Sequence, residues 1–257
     1  MSLVLLTGNG PEHRYVANRL CAELPIDAVV VDVAARPPSL SRAFRTGKRR
    51  GLSRLVHFAF RKAVRDDRAR DRALQSVLGE EATSRFAAED RVVRVDGINS
   101  AEAHAAVTAV EPAALLVYGT AIVRDDMLAH ARDLAFNMHT GISPRYRGTD
   151  CAFWPLVNGE PEWIGATVHE CTSAVDGGKI FSTARASLTP GDRLHGAFAR
   201  AVVRGADLYV DVLRRYLNGG LDGEPQDLSA GVEYRGHMRT LRPELRARWT
   251  LMRLRLG

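Results

Sequence analysis

The sequence contains little cysteine: Cys21, Cys151 and Cys171 are widely spaced, and no Cys-x-x-Cys pair occurs among the 257 residues. An odd number of scattered cysteines argues against a disulfide framework and a structural zinc site, and it favours a reducing compartment. No apolar run approaches the roughly 18 residues that a membrane span requires, and no basic segment before a long apolar stretch opens the chain. We therefore expect a cytoplasmic protein without a signal peptide or a membrane span.

The usual nucleotide-binding signatures are also missing. Gly8-Asn9-Gly10 begins a glycine pattern, but His13 stands where a dinucleotide fingerprint has its third glycine, so NAD binding is not expected. No Walker sequence is present, and the histidines show no metal-ligand spacing, so we predict no metal site. The net charge of +6 suits anionic partners without identifying one.

Strand and helix patterns alternate along most of the chain. A buried strand, a turn and a helix with Val16, Leu20 and Leu24 at helical spacing are followed by another buried strand, which is typical of a parallel crossover. The fold class we predict is α/β, with a Rossmann-like, mostly parallel sheet flanked by helices. The predicted strands are Leu3–Leu6, Ala28–Val33, Arg91–Val95, Ala114–Tyr118, Leu134–His139, Trp163–Cys171 and Ile180–Leu188.

Three helical segments complete this prediction. Asn99 with Glu102 resembles a capping box that opens a helix through Val110. Thr189-Pro190 opens a long amphipathic helix that ends near Leu217, before two glycines. We assign residues 1–217 to one main domain and residues 218–257 to a small, Arg-rich C-terminal extension. The last run of the extension is expected to form a helix that packs on the domain or on a partner subunit.

A basic insertion, at about residues 39–78, interrupts the strand and helix rhythm. From Arg42 to Arg72 it contains twelve Arg or Lys and three Asp, together with an apolar component that includes Leu52 and Phe58. We expect a helical segment whose apolar residues pack on the domain while its arginines face solvent. A phosphate-binding surface is the alternative, but interleaved surface aromatics are missing. We therefore expect the insertion to contribute no residue to a functional site.

The most informative stretch runs from Phe136 to Gly148 and has the sequence FNMHTGISPRYRG. Asn137 and His139 lie two residues apart on a predicted strand, so their side chains leave the same face. They also lie at the carboxyl end of that strand, where open parallel sheets bind their ligands. A lone Asn-x-His pair is more typical of a turn asparagine and a hydrogen-bonded strand-end histidine than of a functional site, so the wider context decides.

That context resembles the formyltransferase family that includes methionyl-tRNA, glycinamide ribonucleotide and amino-sugar formyltransferases. The family has an Asn-x-His pair, a Leu-Pro-x-Tyr-Arg-Gly-like loop and a distal Asp-x-Gly-x-Ile element. Pro144–Gly148 matches the loop and Asp176–Ile180 matches the distal element, and the resemblance covers residues 110–190 well. Gly141 and Ser143 stand where the family usually has Ser and Leu, a departure that concerns the loop rather than the triad.

The resemblance implies transfer of a formyl group from the co-substrate 10-formyltetrahydrofolate to an amine by Asn137, His139 and Asp176. Such a reaction passes through a tetrahedral intermediate, so it needs a donor for the oxyanion and a group that moves protons. An Asn amide suits the first need, and a His with an Asp suits the second. The sequence leaves open whether His139 or Asp176 accepts the proton, and Asp176 taken alone is more typical of a turn before Gly177-Gly178.

The resemblance also implies where the two substrates bind. The folate pterin is expected against backbone groups that follow a strand, at Tyr118, Gly119, Thr120, Ala121 and Ile122. In the loop, Tyr146 and Arg147 are candidates for contacting the substrate or for holding the loop itself. For Arg147 an anionic group and a backbone carbonyl are equally good partners.

The branch of the family is predicted from what the chain does not contain. The 81 residues after Asp176 leave too little room for the C-terminal domain of the tRNA enzymes, and the first loop lacks the phosphate-binding pattern of the glycinamide ribonucleotide enzymes. We expect the acceptor to be a primary amine on a nucleotide-linked amino sugar or another specialised metabolite. Nucleic acid is not expected as a partner, and a homodimer stays open. The alternatives are an RNA-binding protein resembling the methionyl-tRNA enzymes and a non-catalytic scaffold.

Overall fold

The computed structural model describes residues 1–34, 57–172 and 174–256. Its strands are β1 (Leu3–Gly8), β2 (Ile26–Asp32), β3 (Val92–Val95), β4 (Ala114–Tyr118), β5 (Leu134–His139), β6 (Tyr146–Gly148), β7 (Gly165–Glu170), β8 (Ile180–Arg185) and β9 (Val232–Tyr234). Seven of them form one sheet in the order β3-β2-β1-β4-β5-β7-β8, while β6 and β9 form a separate parallel pair. Strands β1 to β5 run parallel, and β7 is antiparallel to both of its neighbours, β5 and β8. This mostly parallel sheet confirms the predicted α/β fold.

Helices cover both faces of the sheet. They are α1 (Pro11–Glu23), α2 (Asp66–Leu78), α3 (Glu80–Ser84), α4 (Ala101–Thr108), α5 (Asp125–Leu128), α6 (Trp154–Asn158), α7 (Leu194–Leu217) and α8 (Leu241–Leu256), and residues 57–63 are helical as well. One core cluster lies under α1, α2 and α7, and a second lies under α4 on the opposite face. Strands buried on both faces explain the near-continuous apolar runs of β1, β2 and β4. None of the helices in the described ranges is long and apolar enough to cross a membrane.

A buried tyrosine joins the two strands that lead into the candidate site. Tyr209 on α7 is fully buried, and its hydroxyl accepts a hydrogen bond from the amide of Val117 at 3.0 Å. The same hydroxyl donates to the carbonyl of Phe136 at 3.1 Å. Because it satisfies one backbone group on each strand, it holds the carboxyl ends of β4 and β5 at a fixed separation.

Several predicted boundaries differ from the structure. Ser100, not Asn99, caps helix α4, since its Oγ accepts the amide of Ala103 at 3.2 Å. Helix α7 begins at Leu194, because a turn tied by Asp192 to the amide of Thr189 comes before it. The C-terminal extension, which shows little pattern in sequence, contains β9 and α8.

The basic insertion also differs from expectation where the structure describes it. Arg61 and Arg70 are only partly exposed, and each forms an ion pair with a buried carboxylate, that of Asp66 and of Glu12 respectively. The prediction that the arginines face solvent is therefore wrong for these two. The part of the insertion before residue 57, including Leu52, lies outside the described residues.

Candidate active site

The structure brings Asn137, His139 and Asp176 together at the carboxyl end of β5. Asn137 and His139 leave the same face of the strand, and Asp176 lies on the loop between β7 and β8. His139 Nδ1 lies 3.5 Å from Asp176 Oδ2, and Asn137 Nδ2 lies 3.5 Å from Asp176 Oδ1. The two carboxylate oxygens of Asp176 thus face the two other members of the predicted triad.

The backbone around Asp176 is built to hold its side chain in place. Asp176 has a φ of 47°, in the left-handed region that Asp tolerates better than most residues. The amide of Gly148 donates to Asp176 Oδ2 at 2.7 Å, and Gln226 Nε2 donates to the Asp176 carbonyl at 3.0 Å and also to the carbonyl of Gly178. A Cβ at Gly178 would overlap the carbonyl of Glu170, so this turn requires glycine there. The turn, the Arg-Gly loop and the C-terminal extension all contribute to the position of one carboxylate.

Hydrogen bonding determines which nitrogen of His139 can exchange a proton. His139 Nε2 lies 3.1 Å from the carbonyl of Tyr146, and because a carbonyl only accepts, Nε2 carries the hydrogen. In the neutral ring Nδ1 is then the acceptor, on the side that faces Asp176. Gly141 allows this arrangement, since a Cβ at that position would overlap the His139 ring and the Tyr146 carbonyl.

Burial and neighbouring charges give His139 and Asp176 different proton affinities. Burial lowers the pKa of the His139 imidazole below its usual value, although the carboxylate of Asp176 opposes that shift. Burial would raise the pKa of Asp176, but the neighbouring imidazoles of His139 and His169 and the hydrogen bond from the amide of Gly148 hold it well below its usual range. At neutral pH the site therefore contains a neutral imidazole with a free Nδ1 beside an ionised carboxylate.

His169 is a member of the site that sequence reasoning missed. It is 2% exposed, pairs directly with Asn137 across β5 and β7, and accepts from Asn137 Nδ2 through Nε2 at 3.0 Å. Its Nδ1 lies 2.7 Å from the carbonyl of Glu170 and must carry the hydrogen, which leaves Nε2 as the acceptor in the neutral ring. The alternation of Thr167 and His169 on one strand face was the available signal.

The predicted folate residues line one cleft together with the triad. Tyr118 to Ile122, Asn137, His139 and Asp176 border a cavity of about 490 Å³. The ring of Tyr118 is buried in the core, while Gly119 has a φ of 67° that turns the backbone out of β4. Asn99 holds the loop, since its Nδ2 donates to the carbonyl of Ile122 at 2.9 Å. The loop therefore presents mainly backbone groups and small side chains to the cleft.

A comparison with known protein families gives a match over most of the chain. The family model described as formyl transferase matches residues 3–213, which is most of the chain. The chain belongs to the formyl transferase family. The match includes every residue of the predicted triad and the whole of the seven-stranded sheet.

The curated relatives of this formyl transferase chain match over a limited region. The methionyl-tRNA formyltransferase of Chlorobium chlorochromatii is 31% identical over 136 residues, which is 53% of this chain and 43% of that protein. The methionyl-tRNA formyltransferase of Streptococcus agalactiae is 36% identical over 93 residues, which is 36% of this chain and 30% of that protein. The chain thus matches less than half the length of these relatives.

Solved structures match the fold over nearly the whole chain. A 4-N formyltransferase from Francisella tularensis has a TM-score of 0.58 at 13% identity, covering 96% of this chain and 86% of that one. A sugar N-formyltransferase from a Shewanella species has a TM-score of 0.56 at 13% identity, with the same coverage. An N-formyltransferase from Helicobacter canadensis, in complex with folinic acid and dTDP-3-aminofucose, has a TM-score of 0.56 at 14% identity, covering 96% and 80%. At these identities the likeness shows a shared fold.

The other two predicted residues, Arg147 and Tyr146, hold the loop and are not among the residues that line the cleft. Arg147 is 8% exposed, and its guanidinium donates to the carbonyls of Val175 at 3.4 Å and Leu228 at 3.2 Å. Tyr146 is 1% exposed and donates to Glu160 at 2.6 Å. Of the two alternatives for Arg147, the geometry favours the backbone carbonyl. No group of three or more His, Cys, Asp or Glu suited to a metal ion occurs among the residues that the structure describes.

Proposed function

We propose that this protein transfers a formyl group from 10-formyltetrahydrofolate to the primary amine of a small molecule. The observation that carries the proposal is that Asn137 and His139 each lie 3.5 Å from Asp176, in a cleft that the loop 118–122 also lines. A neutral imidazole, an ionised carboxylate and an amide donor at one point suit acyl transfer to an amine.

The proton balance of the reaction follows from the tautomers. The amine nitrogen attacks the formyl carbon, a C–N bond forms, and the carbonyl π electrons move to the oxygen. We assign the oxyanion to Asn137, because its contact with Asp176 is long and one N–H can turn to a closer acceptor. Nδ1 of His139 takes the proton from the amine, and Asp176 stabilises the imidazolium. The bond to N10 of the folate then breaks and the formyl C=O re-forms. N10 takes the proton from Nδ1 of the His139 imidazolium, which returns the ring to its neutral form.

Small amino sugars linked to a nucleotide are the acceptor class we propose. The support is the fold match over 96% of the chain to N-formyltransferases, of which one is a sugar N-formyltransferase and another was solved with dTDP-3-aminofucose. Identities of 13–14% are too low to transfer a substrate, so the acceptor needs its own test.

Methionyl-tRNA formylation is the second candidate function. The observation in its favour is that the curated relatives are methionyl-tRNA formyltransferases, at 31% and 36% identity over the matched regions. The net charge of +6 is also compatible with nucleic acid. This candidate predicts formylation of charged initiator tRNA at a rate that falls steeply with salt.

A mass-spectrometric screen tests both candidates. The protein is incubated with 10-formyltetrahydrofolate and a panel of nucleotide-linked amino sugars, other amines and charged initiator tRNA, and products that gain one CO are sought. His139→Ala and Asn137→Ala should each lower turnover by about 100-fold or more, while folate binding by calorimetry persists. A His139→Ala protein that is folded and transfers formyl groups at the unmodified rate would exclude the mechanism.

A further inference from the structure

A second and larger cavity opens beside the reaction centre. Its volume is about 680 Å³, and it shares Thr140, Asp150 and Cys151 with the cleft that contains the triad. A molecule in this cavity therefore lies next to the proposed folate cleft and can extend into it. The resemblance and the comparisons assign no residue of this chain to that space.

Hydrogen-bond donors dominate the described wall of the large cavity. Among its lining residues Asp150 alone carries a carboxylate, whereas three arginines and three histidines are present: Arg61, Arg70, Arg239, His57, His195 and His237. Guanidinium groups are planar, permanently charged donors whose geometry matches the oxygens of a phosphate. The wall is thus suited to an anionic ligand.

Arg61 is held rigidly by a buried carboxylate behind it. Its Nε donates to Asp66 Oδ2 at 2.7 Å, and His195 Nε2 lies 2.8 Å from the other oxygen of Asp66. Asp66 is 2% exposed and does not line the cavity. Burial would raise the pKa of Asp66, but His195 and Arg61 hold it well below its usual range, so it stays ionised. Nη1 of Arg61 forms no hydrogen bond with any residue of the described ranges.

Arg70 is anchored in the same manner from another direction. Its Nη2 donates to Glu12, which is 6% exposed, and its guanidinium lies 6.0 Å from the ring centre of Phe198. Within the described part of the chain, Nε and Nη1 of Arg70 make no hydrogen bond. Two arginines with fixed positions therefore line the same cavity, each with donors that make no hydrogen bond to a described residue and with its carboxylate partner outside the lining.

We propose that this cavity binds the acceptor and that Arg61 and Arg70 bind a phosphate or diphosphate group on it. The inference rests on the proposed function, since it assigns the second substrate of the same reaction. An anion in the cavity lies closer to the guanidinium groups than to the carboxylates behind them, so the attraction exceeds the repulsion. The phosphate end would lie against Arg61 and Arg70, and the amine end would extend past Thr140 to the triad.

Calorimetric titration of the intact protein with inorganic pyrophosphate tests the anion site without knowing the acceptor. We expect binding that weakens by about tenfold or more in Arg61→Gln and in Arg70→Gln, the scale of a lost charged hydrogen bond. The matched control is Arg68→Gln, which removes the same charge from an exposed position of α2 outside the cavity lining. Equal weakening in the control, or no binding to the unmodified protein, would overturn the proposal.

Arg70→Lys keeps the test decisive if Arg70→Gln does not fold. It keeps a positive charge beside the buried Glu12 but loses the planar fork, so we expect a folded protein with weakened pyrophosphate binding. Parallel titrations with orthophosphate and dTDP separate the sources of the ligand chemistry. Tighter binding of dTDP than of pyrophosphate supports a nucleotide-linked acceptor, and preference for orthophosphate supports a sugar phosphate.

Kinetics distinguishes failure of this inference from failure of the proposed function. For an acceptor found in the screen, Arg61→Gln should raise the acceptor's KM by about tenfold and leave the KM for the folate co-substrate unchanged. A rise in the folate KM alone would assign the arginines to the folate's glutamate tail and overturn the inference.

If no amine is formylated although pyrophosphate binding depends on Arg61 and Arg70, formyl transfer fails and the anion site stands. If an amine is formylated with a KM that Arg61→Gln does not alter, the anion site fails and formyl transfer stands.

Discussion

At the scale of single residues, the tautomer of His139 sets the pH dependence that we expect. Its Nε2 hydrogen is committed to Tyr146, and burial lowers its pKa, so the ring is a neutral base with Nδ1 free at neutral pH. Activity should therefore be constant around neutral pH and fall as the pH drops below the usual histidine value of about 6.5. In Asp176→Asn this acidic fall in activity should occur at lower pH, because the carboxylate that favours the imidazolium is lost.

The measurement is the pH profile of kcat/KM for both proteins with one acceptor. The comparison separates His139 from the acceptor amine, whose own ionisation is not changed by the substitution. If the acidic fall in kcat/KM stays at the same pH in Asp176→Asn, the amine, and not His139, causes it.

His169 is expected to orient Asn137 without touching the substrate. Its Nε2 accepts from the Asn137 amide at 3.0 Å, so His169→Ala frees that amide to rotate. We expect kcat to fall by about tenfold, the scale of one lost hydrogen bond of about 1.4 kcal/mol, while the KM for folate is unchanged. His169→Gln, which retains an acceptor, should recover part of the loss. His104→Ala, on α4 away from the cleft, is the control. Equal activity of the Ala and Gln variants would show that packing, and not the hydrogen bond, is the function of His169.

At the scale of elements, the turn between β7 and β8 depends on the C-terminal extension. Gln226 donates to the carbonyls of Asp176 and Gly178, and Gln226→Ala removes both bonds. The turn should become more mobile, and we expect turnover to fall by about tenfold. This is less than the roughly 100-fold that a misplaced catalytic group can cost, because the amide of Gly148 still holds the Asp176 carboxylate. The control is Gln75→Ala, at an exposed position on α2. Unchanged turnover in Gln226→Ala, with an unchanged melting temperature, would show that the turn holds Asp176 by itself.

The C-terminal extension, which begins after the predicted domain boundary at residue 217, packs against the loop of the candidate site. Strand β9 pairs with β6, with Tyr146 opposite Val232 and Gly148 opposite Tyr234. Glu233 to Gly236 line the cleft of the triad, and Arg239 lines the larger cavity. The extension from 218 onward therefore contributes directly to the walls of the candidate site.

At the scale of the whole molecule, a buried network of charges joins segments far apart in sequence. Asp66 on α2 contacts Arg61, His195 on α7 and Arg248 on α8, and Arg248 also pairs with Glu244, which is fully buried. Insertion, long helix and C-terminal helix thus meet at one carboxylate. Removing one member of a buried network leaves its partners uncompensated.

Asp66→Asn should lower the free energy of unfolding at neutral pH by about 3 kcal/mol. Because the folded-state pKa of Asp66 is held low, its stabilisation is present above the pKa of the unfolded carboxyl and is lost as the pH falls. Urea unfolding at pH 7 and at about pH 4 should show a steeper acid loss in the unmodified protein than in Asp66→Asn. Asp71→Asn, at an exposed position of the same helix, should change neither value. Parallel acid curves for Asp66→Asn and the unmodified protein would contradict this account.

Local pattern by itself determined most of the sheet and part of the site. Strands 114–118 and 134–139 have the predicted bounds, because buried parallel strands are short continuous apolar runs that differ clearly from their flanking turns. The shared face of Asn137 and His139 follows from the two-residue period of a strand, and their place at the sheet edge follows from strand direction. Motif spacing added Asp176 through the family resemblance.

Only the tertiary structure decided which distant groups meet. The register of β7 against β5 places His169 beside Asn137, and a one-residue slip would have turned that side chain to the other face. Gln226 reaches Asp176 across 50 residues, and Arg70 reaches Glu12 across 58, through contacts that no local pattern encodes. The insertion was therefore predicted as a solvated helical surface, since its charge pattern is local, whereas the buried carboxylates that hold Arg61 and Arg70 come beside them only when the chain folds.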